Sequence, residues 1–148
     1  MTNFYAIIPS RMKSSRLPEK PLKDIAGQPM VVRVAERAKL SGATDVIVAT
    51  DHEDIVKACQ KFDVKVILTS PNHPSGTDRL AETVTKLGLV DDAIVVNVQG
   101  DEPLIPTEVV RQVAQLLAEH PECEMATAAH PIDNIDEFLN PNVVKVVR

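Results

Sequence analysis

The chain has 148 residues, of which 44 % are hydrophobic and 25 % charged, and its formal net charge is −5. These values describe an ordinary globular domain, whose acidity argues against nucleic acid or a membrane surface as a partner; no apolar run is long enough to span a bilayer. Trp is absent and only three Phe and one Tyr are present, so the core must be aliphatic, and a chain of this length can bury roughly 70 % of its unfolded surface.

Charge is unevenly spread. Residues 1–24 carry five cations (Arg11, Lys13, Arg16, Lys20 and Lys23) against two acids, Glu19 and Asp24, while the rest holds eleven cations and nineteen acids. A basic segment on an acidic body points to a local anion site. Cys59 and Cys123 are far apart and lack metal-type spacing. They read as thiols of a reducing compartment, and residues 1–3 offer no basic start to a signal peptide, so a cytoplasmic location is expected.

In chain order, "FYAII" (4–8), "DVIVAT" (45–50) and "AIVVNV" (93–98) are short, β-branched runs, apolar on both faces. They predict parallel strands covered by helices on both sides. "KVILTS" (65–70) and "EMATAAH" (124–130) are weaker strand candidates, and "VVKVV" (143–147) reads as a strand beginning at the end of the chain. Helical spacing predicts helices over 29–42, 52–62, 78–88 and 106–120. Pro29 lies in the first turn of the first, Gly42 closes it, and Thr50 or Asp51 caps the second. Strands alternating with helices imply a Rossmann-like three-layer α/β/α fold with a mostly parallel sheet. Ligands of such sheets bind beyond the carboxyl ends of the strands, which selects the loops 9–28, 50–53 and 99–106.

The first loop, within "IIPSRMKSSRLPEKPL", contains neither GxxxxGK(S/T) nor GxGxxG. Pro9, Pro18, Pro21 and Pro29 stiffen it. Arg11, Arg16 and Lys20 fall four or five residues apart, so a folded loop can bring them to one phosphate group from several sides. A solvated basic loop is the plainer reading, but the position after the first strand favours phosphate. In "NVQGDEPLIP", Asp101 can hold one face of a hydrated Mg²⁺ that also bridges phosphates; a turn with Asp as a cap explains the same residues equally well. Gly100 permits close backbone approach and Gln99 can read a sugar hydroxyl or a base edge. In "SPNHPSGTDR", Ser75, Gly76 and Thr77 either cap a helix or bind an anion or hydroxyl. Arg79 can stack on or bond to a base. His73 reads as a surface loop residue, and capping accounts for Asp51.

Together "IPSRMKSSRLPEKPL", "IVATDHEDI", "TSPNHPSGTDRLAE", "VVNVQGDEPLIP" and "NPNVVKVV" resemble, in order, the 3-deoxy-manno-octulosonate (KDO) cytidylyltransferases, or CMP-KDO synthetases. "SRLPxKPL" is shared widely among sugar nucleotidyltransferases; "HPSGTDR" with "VNVQGDEP" is more specific to the KDO enzymes. The resemblance implies the fold of nucleotide-diphospho-sugar transferases and a reaction joining CTP to KDO, giving CMP-KDO and pyrophosphate for lipopolysaccharide synthesis. It implies that Arg11, Arg16 and Lys20 grip the CTP phosphates as catalytic residues with Asp101, the Mg²⁺ ligand. Pro9, Ser10, Arg11, Ser75, Gly76, Arg79 and Gln99 would surround the nucleotide. The family chains are longer, so residues 1–148 are expected to form a nucleotide-binding domain incomplete at its C-terminus. The KDO contacts, a second metal-binding Asp and a homodimer interface would then lie in the remainder. Two rivals stay open: a nucleotidyltransferase for another sugar acid, and a CTP-binding module without turnover.

Overall fold

The structure, a computed structural model, describes residues 2–13 and 17–146. Its main sheet has four strands: β1 (Phe4–Ser10), β4 (Asp45–Thr50), β5 (Lys65–Leu68) and β6 (Ile94–Asn97). All pairings are parallel, in the order β5-β4-β1-β6. The chain therefore builds outward from β1 through β4 to β5, then crosses back to place β6 on the other side of β1. That reversal puts helices on both faces. Helices α1 (Met30–Lys39), α2 (Glu53–Lys61) and α4 (Thr107–Glu119) cover one face, and α3 (Gly76–Leu87) covers the other. The expected three-layer α/β/α architecture with a parallel sheet is what forms.

Strand alternation explains the two cores. Phe4, Ala6 and Ile8 of β1 join Val46, Val48, Val96 and Val98 against Val31, Val34, Ile55, Val110 and Ala114 of the three helices. Ile7 and Ala49 point the other way, onto Leu80 of α3. Each fully buried Ile or Val contributes about 1.5–3 kcal/mol, so β1, lined on both faces, anchors the fold. Burial pushes the Cys59 thiol up to about 11, and it packs as a small apolar side chain.

Local chemistry sets the helix ends. α2 is capped by His52, whose Nδ1 accepts from the Asp54 amide at 3.3 Å, and not by Thr50 or Asp51. α3 begins two residues earlier than its apolar spacing predicts, because Ser75 Oγ accepts from the Asp78 amide at 3.1 Å. A two-stranded hairpin, β2 (Asp24–Ile25) and β3 (Gln28–Pro29), interrupts the first loop. Its turn residues Ala26 (φ 51°) and Gly27 (φ 87°) are both left-handed, as the tightest hairpin turns require. Arg33 of α1 donates to the carbonyls of Ile25 and Ala26 and fastens the hairpin.

Two expected strands are absent. Residues 124–130 form no strand, and neither do 143–146; Arg148 and residue 147 lie outside the described residues. Met125, Val144 and Val146 are largely exposed, and a β-branched run without a neighbouring edge to bond has no reason to extend. The short helix α5 (Ile135–Leu139), capped by Asn134 on the Glu137 amide at 2.7 Å, stands between them. Among the described residues no helix is long and apolar enough to cross a membrane.

Candidate functional site

The carboxyl end of β1 lies at the reversal of strand order, where a doubly wound sheet opens its crevice. Pro9 forms the floor. A Cβ placed on Gly100 would sit 2.8 Å from the Pro9 carbonyl oxygen, so the loop after β6 approaches β1 closely enough that only glycine fits. From the other face, the start of α3 arrives: a Cβ placed on Gly76 would lie 3.6 Å from the Pro9 ring. Three elements that are far apart in sequence thus converge on one proline.

On the first-loop side, Pro21 is buried while Met12 and Leu22 pack on the core. A 3₁₀ turn over Lys20–Leu22 lifts Lys20 toward the loop after β6. Its Nζ meets Asp101 Oδ2 at 2.6 Å, an ion pair between residues 81 positions apart. Arg11 is exposed, just past the strand end. Arg16 lies outside the described residues. Ser10 continues the Phe4–Ala6–Ile8 face and is 3 % exposed; its hydroxyl has no hydrogen-bond partner among the described residues. Its backbone, not its side chain, is what the crevice offers. Gln99 is exposed, with its carbonyl accepting from the Glu102 amide at 3.2 Å.

The α3 side is built differently. Ser75 is exposed, and its hydroxyl is engaged with Asp78. Arg79 is 1 % exposed: Nη2 contacts Asp51 Oδ2 at 2.9 Å, and Nη1 donates to Thr69 Oγ1. Asp51 is therefore an ion-pair partner, not a helix cap. His73 is paired too: its Nε2 lies on Glu82, whose carboxylate also accepts from Lys86 and from the Ser70 amide at 2.9 Å. The Lys86 contact, then His73 and the Ser70 amide, hold Glu82 down at about 2. Sequence reasoning missed Asp51 and the His73–Glu82 pair. The usable signal was the spacing 79, 82, 86, which places Arg79, Glu82 and Lys86 on one face of α3.

Asp101 is half exposed, and among the described residues no cluster of three His, Cys, Asp or Glu is arranged to hold a metal on protein ligands alone. One open carboxylate fits an ion that keeps most of its waters and takes its other ligands from phosphate.

A basic loop and an acidic loop meeting across a reversed parallel sheet is the layout of nucleotidyltransferase-type α/β folds. Within that class the chain belongs to the cytidylyltransferase family, whose profile matches residues 5–148. A solved structure of CMP:2-keto-3-deoxy-manno-octonic acid synthetase complexed with CTP is 44 % identical, with TM-score 0.74, over 81 % of this chain and 49 % of its own. A cytidylyltransferase from Leptospira borgpetersenii serovar Hardjo-bovis is 25 % identical, with TM-score 0.63, over 80 % and 50 %. A nucleotidyl transferase from Methanothermobacter shares the fold at 21 % identity and TM-score 0.64, over 76 % and 57 %. The chain spans about half the length of these relatives.

Proposed function

We propose that residues 1–148 form the nucleotide-binding domain of a cytidylyltransferase that joins CTP to KDO, releasing pyrophosphate and giving CMP-KDO for lipopolysaccharide synthesis. The observation that carries this reading is the meeting of Lys20 and Asp101 at 2.6 Å beside Pro9. It brings a cation suited to phosphate and a carboxylate suited to a hydrated metal ion to one end of the sheet, which supports the reading.

In this reading the anomeric hydroxyl of the sugar attacks the α-phosphate and pyrophosphate leaves. Such a step needs alignment and charge neutralisation, with no covalent nucleophile. Arg11, Arg16 and Lys20 take the triphosphate oxygens. Asp101 holds Mg²⁺, which when bound supplies positive charge at the phosphates and lowers the proton affinity of the attacking hydroxyl. Pro9, Ser10 (through its backbone), Ser75, Gly76, Arg79 and Gln99 frame cytosine and ribose. Arg79 can contribute only through the edge of its guanidinium left over by Asp51 and Thr69. In this reading the whole protein works in the cytoplasm as a homodimer; free Cys59 and Cys123 accord with a reducing compartment.

Nucleotide binding and turnover are measured apart, because the chain spans half the length of its relatives. Binding of CTP, UTP, ATP and GTP by this chain is followed by calorimetry, and pyrophosphate release by the full-length protein with KDO and Mg²⁺. Selective CTP binding, with release that requires both CTP and KDO, is the expected result. Equal binding of all four nucleotides would remove the cytidylyltransferase reading, and CTP-dependent release with another sugar acid alone would change the acceptor.

A further inference from the structure

We infer that Asp51 is a positioning residue of the nucleotide site: with Thr69 it fixes the Arg79 guanidinium and, through it, the start of α3 against the end of β1. This deepens the reading above and rests on it.

Asp51 is the first residue after β4, yet it caps nothing, since His52 serves α2. Its carboxylate faces Arg79, at side-chain exposures of 16 % and 1 %. Thr69 supplies the second hold. Its amide and its hydroxyl both donate to the Thr50 carbonyl, at 2.7 and 3.0 Å, while its oxygen accepts from Arg79 Nη1. A hydrogen-bonded chain thus runs from α3 through Thr69 to the end of β4. A guanidinium stays charged under all ordinary conditions, so burying Arg79 demands a fixed counter-charge. Among the described residues Asp51 is its one carboxylate partner. The other charges of α3 are committed elsewhere, Asp78 to Ser75 and Glu82 to Lys86 and His73.

Two further facts separate this pair from a purely structural one. Arg79 stands three residues after Gly76, where an added Cβ would come within 3.6 Å of the Pro9 ring at the floor of the crevice. Among the described residues the Arg79 Nε–H, fully buried, has no hydrogen-bond partner. The guanidinium is clamped at both terminal nitrogens, by Thr69 and by Asp51, so its orientation beneath the start of α3 is fixed. Loss of Asp51 frees the clamp, and the helix start it aligns loses its register with β1.

The test uses Asp51→Asn, Asp51→Glu and Thr69→Val in the full chain. CTP and UTP affinities are measured by calorimetry, with steady-state kinetics where turnover is present, at a temperature where circular dichroism shows each variant folded. A displaced site of this kind costs about 10- to 100-fold. Asp51→Asn should weaken CTP in that range and narrow the preference over UTP, raising KM for CTP more than it lowers kcat. Asp51→Glu should recover part of the loss, and Thr69→Val should show a smaller loss in the same direction. If Asp51→Asn fails to fold, Asp51→Glu and Thr69→Val carry the test. Folded variants with affinity and preference within about twofold of wild type, whatever their melting temperature, overturn the positioning role. Wild-type protein that binds no nucleotide selectively overturns the underlying function as well, so the two failures are told apart.

Discussion

The two sides of the crevice are held by ion pairs of opposite character. Lys20 and Asp101 join two loops at the surface, with side chains 33 % and 51 % exposed; Asp51 and Arg79 join a strand end to a helix at 16 % and 1 %. An exposed pair contributes little and exchanges partners readily, about 0–1 kcal/mol at most. A buried pair cannot exchange, because either partner alone is a charge without water. The loop side is thus made of groups that can exchange partners, as the proposed phosphate and metal roles require, while the α3 side is fixed by burial.

The largest effect should come from breaking the buried side. Arg79→Ala strands Asp51 and opens a cavity under α3, and should destabilise the fold by about 3–5 kcal/mol in urea unfolding. A loss below about 1 kcal/mol would mean that water already reaches the pair and that the contrast between the two sides is false.

Next comes the floor that both sides share. At Gly100 an alanine Cβ would meet the Pro9 carbonyl oxygen at 2.8 Å, a backbone atom of a paired strand that yields less easily than a side chain. Gly100→Ala should cost about 1–3 kcal/mol. It should also move Asp101 away from Lys20, so that stability and CTP affinity fall together. Unchanged CTP affinity would show that the loop after β6 is not held in place by its contact with Pro9.

How these features were legible follows from the distance over which each is written. β1, β4 and β6 are local: "FYAII", "DVIVAT" and "AIVVNV" are apolar on both faces, the pattern of parallel strands covered by helices, and β1 and β4 are buried throughout most of their length. The crevice was readable by rule, since strand ends choose the loops, and Lys20 and Asp101 were picked out without any knowledge that they touch. The hairpin at 24–29 was not readable, because two-residue strands carry no period and only Gly27 marks the turn. Asp51 and Arg79 are 28 residues apart, and a carboxylate ahead of a helix looks the same whether it caps the helix or pairs elsewhere. "EMATAAH" and "VVKVV" have the composition of strands but lack a neighbour; pairing is a property of two segments, and the sequence of one cannot supply it.

The second brace on the α3 side sharpens the comparison through pH. Glu82 sits near 2 where an ordinary glutamate titrates near 4.5, held down first by Lys86 and then by His73 and the Ser70 amide. A carboxylate lowered in the folded state stabilises fully above the unfolded value and loses that contribution as pH falls toward the folded one. Melting temperature should therefore drop between pH 4.5 and 2 more steeply in wild type than in Glu82→Gln. Parallel curves would show that Glu82 does not brace the loop 69–75, leaving Arg79 and the Thr69–Thr50 bonds to hold it.

The smallest effect on stability should be at the surface pair, and there the comparison is tested most finely. A double-mutant cycle on Lys20→Ala and Asp101→Ala should return a coupling of about 0.2–1 kcal/mol at low salt. The coupling should shrink further by 0.5 M salt, because screening reaches exposed charges. The same Lys20→Ala change should nevertheless weaken CTP binding by about 1.5–3 kcal/mol, the usual loss for a hydrogen bond to a charged group. That separation, small in folding and large in binding, is the signature of a pair formed to be exchanged. A coupling above about 2 kcal/mol that resists salt would instead make Lys20–Asp101 a second structural clamp, and phosphate and metal would then have to enter the crevice by another route.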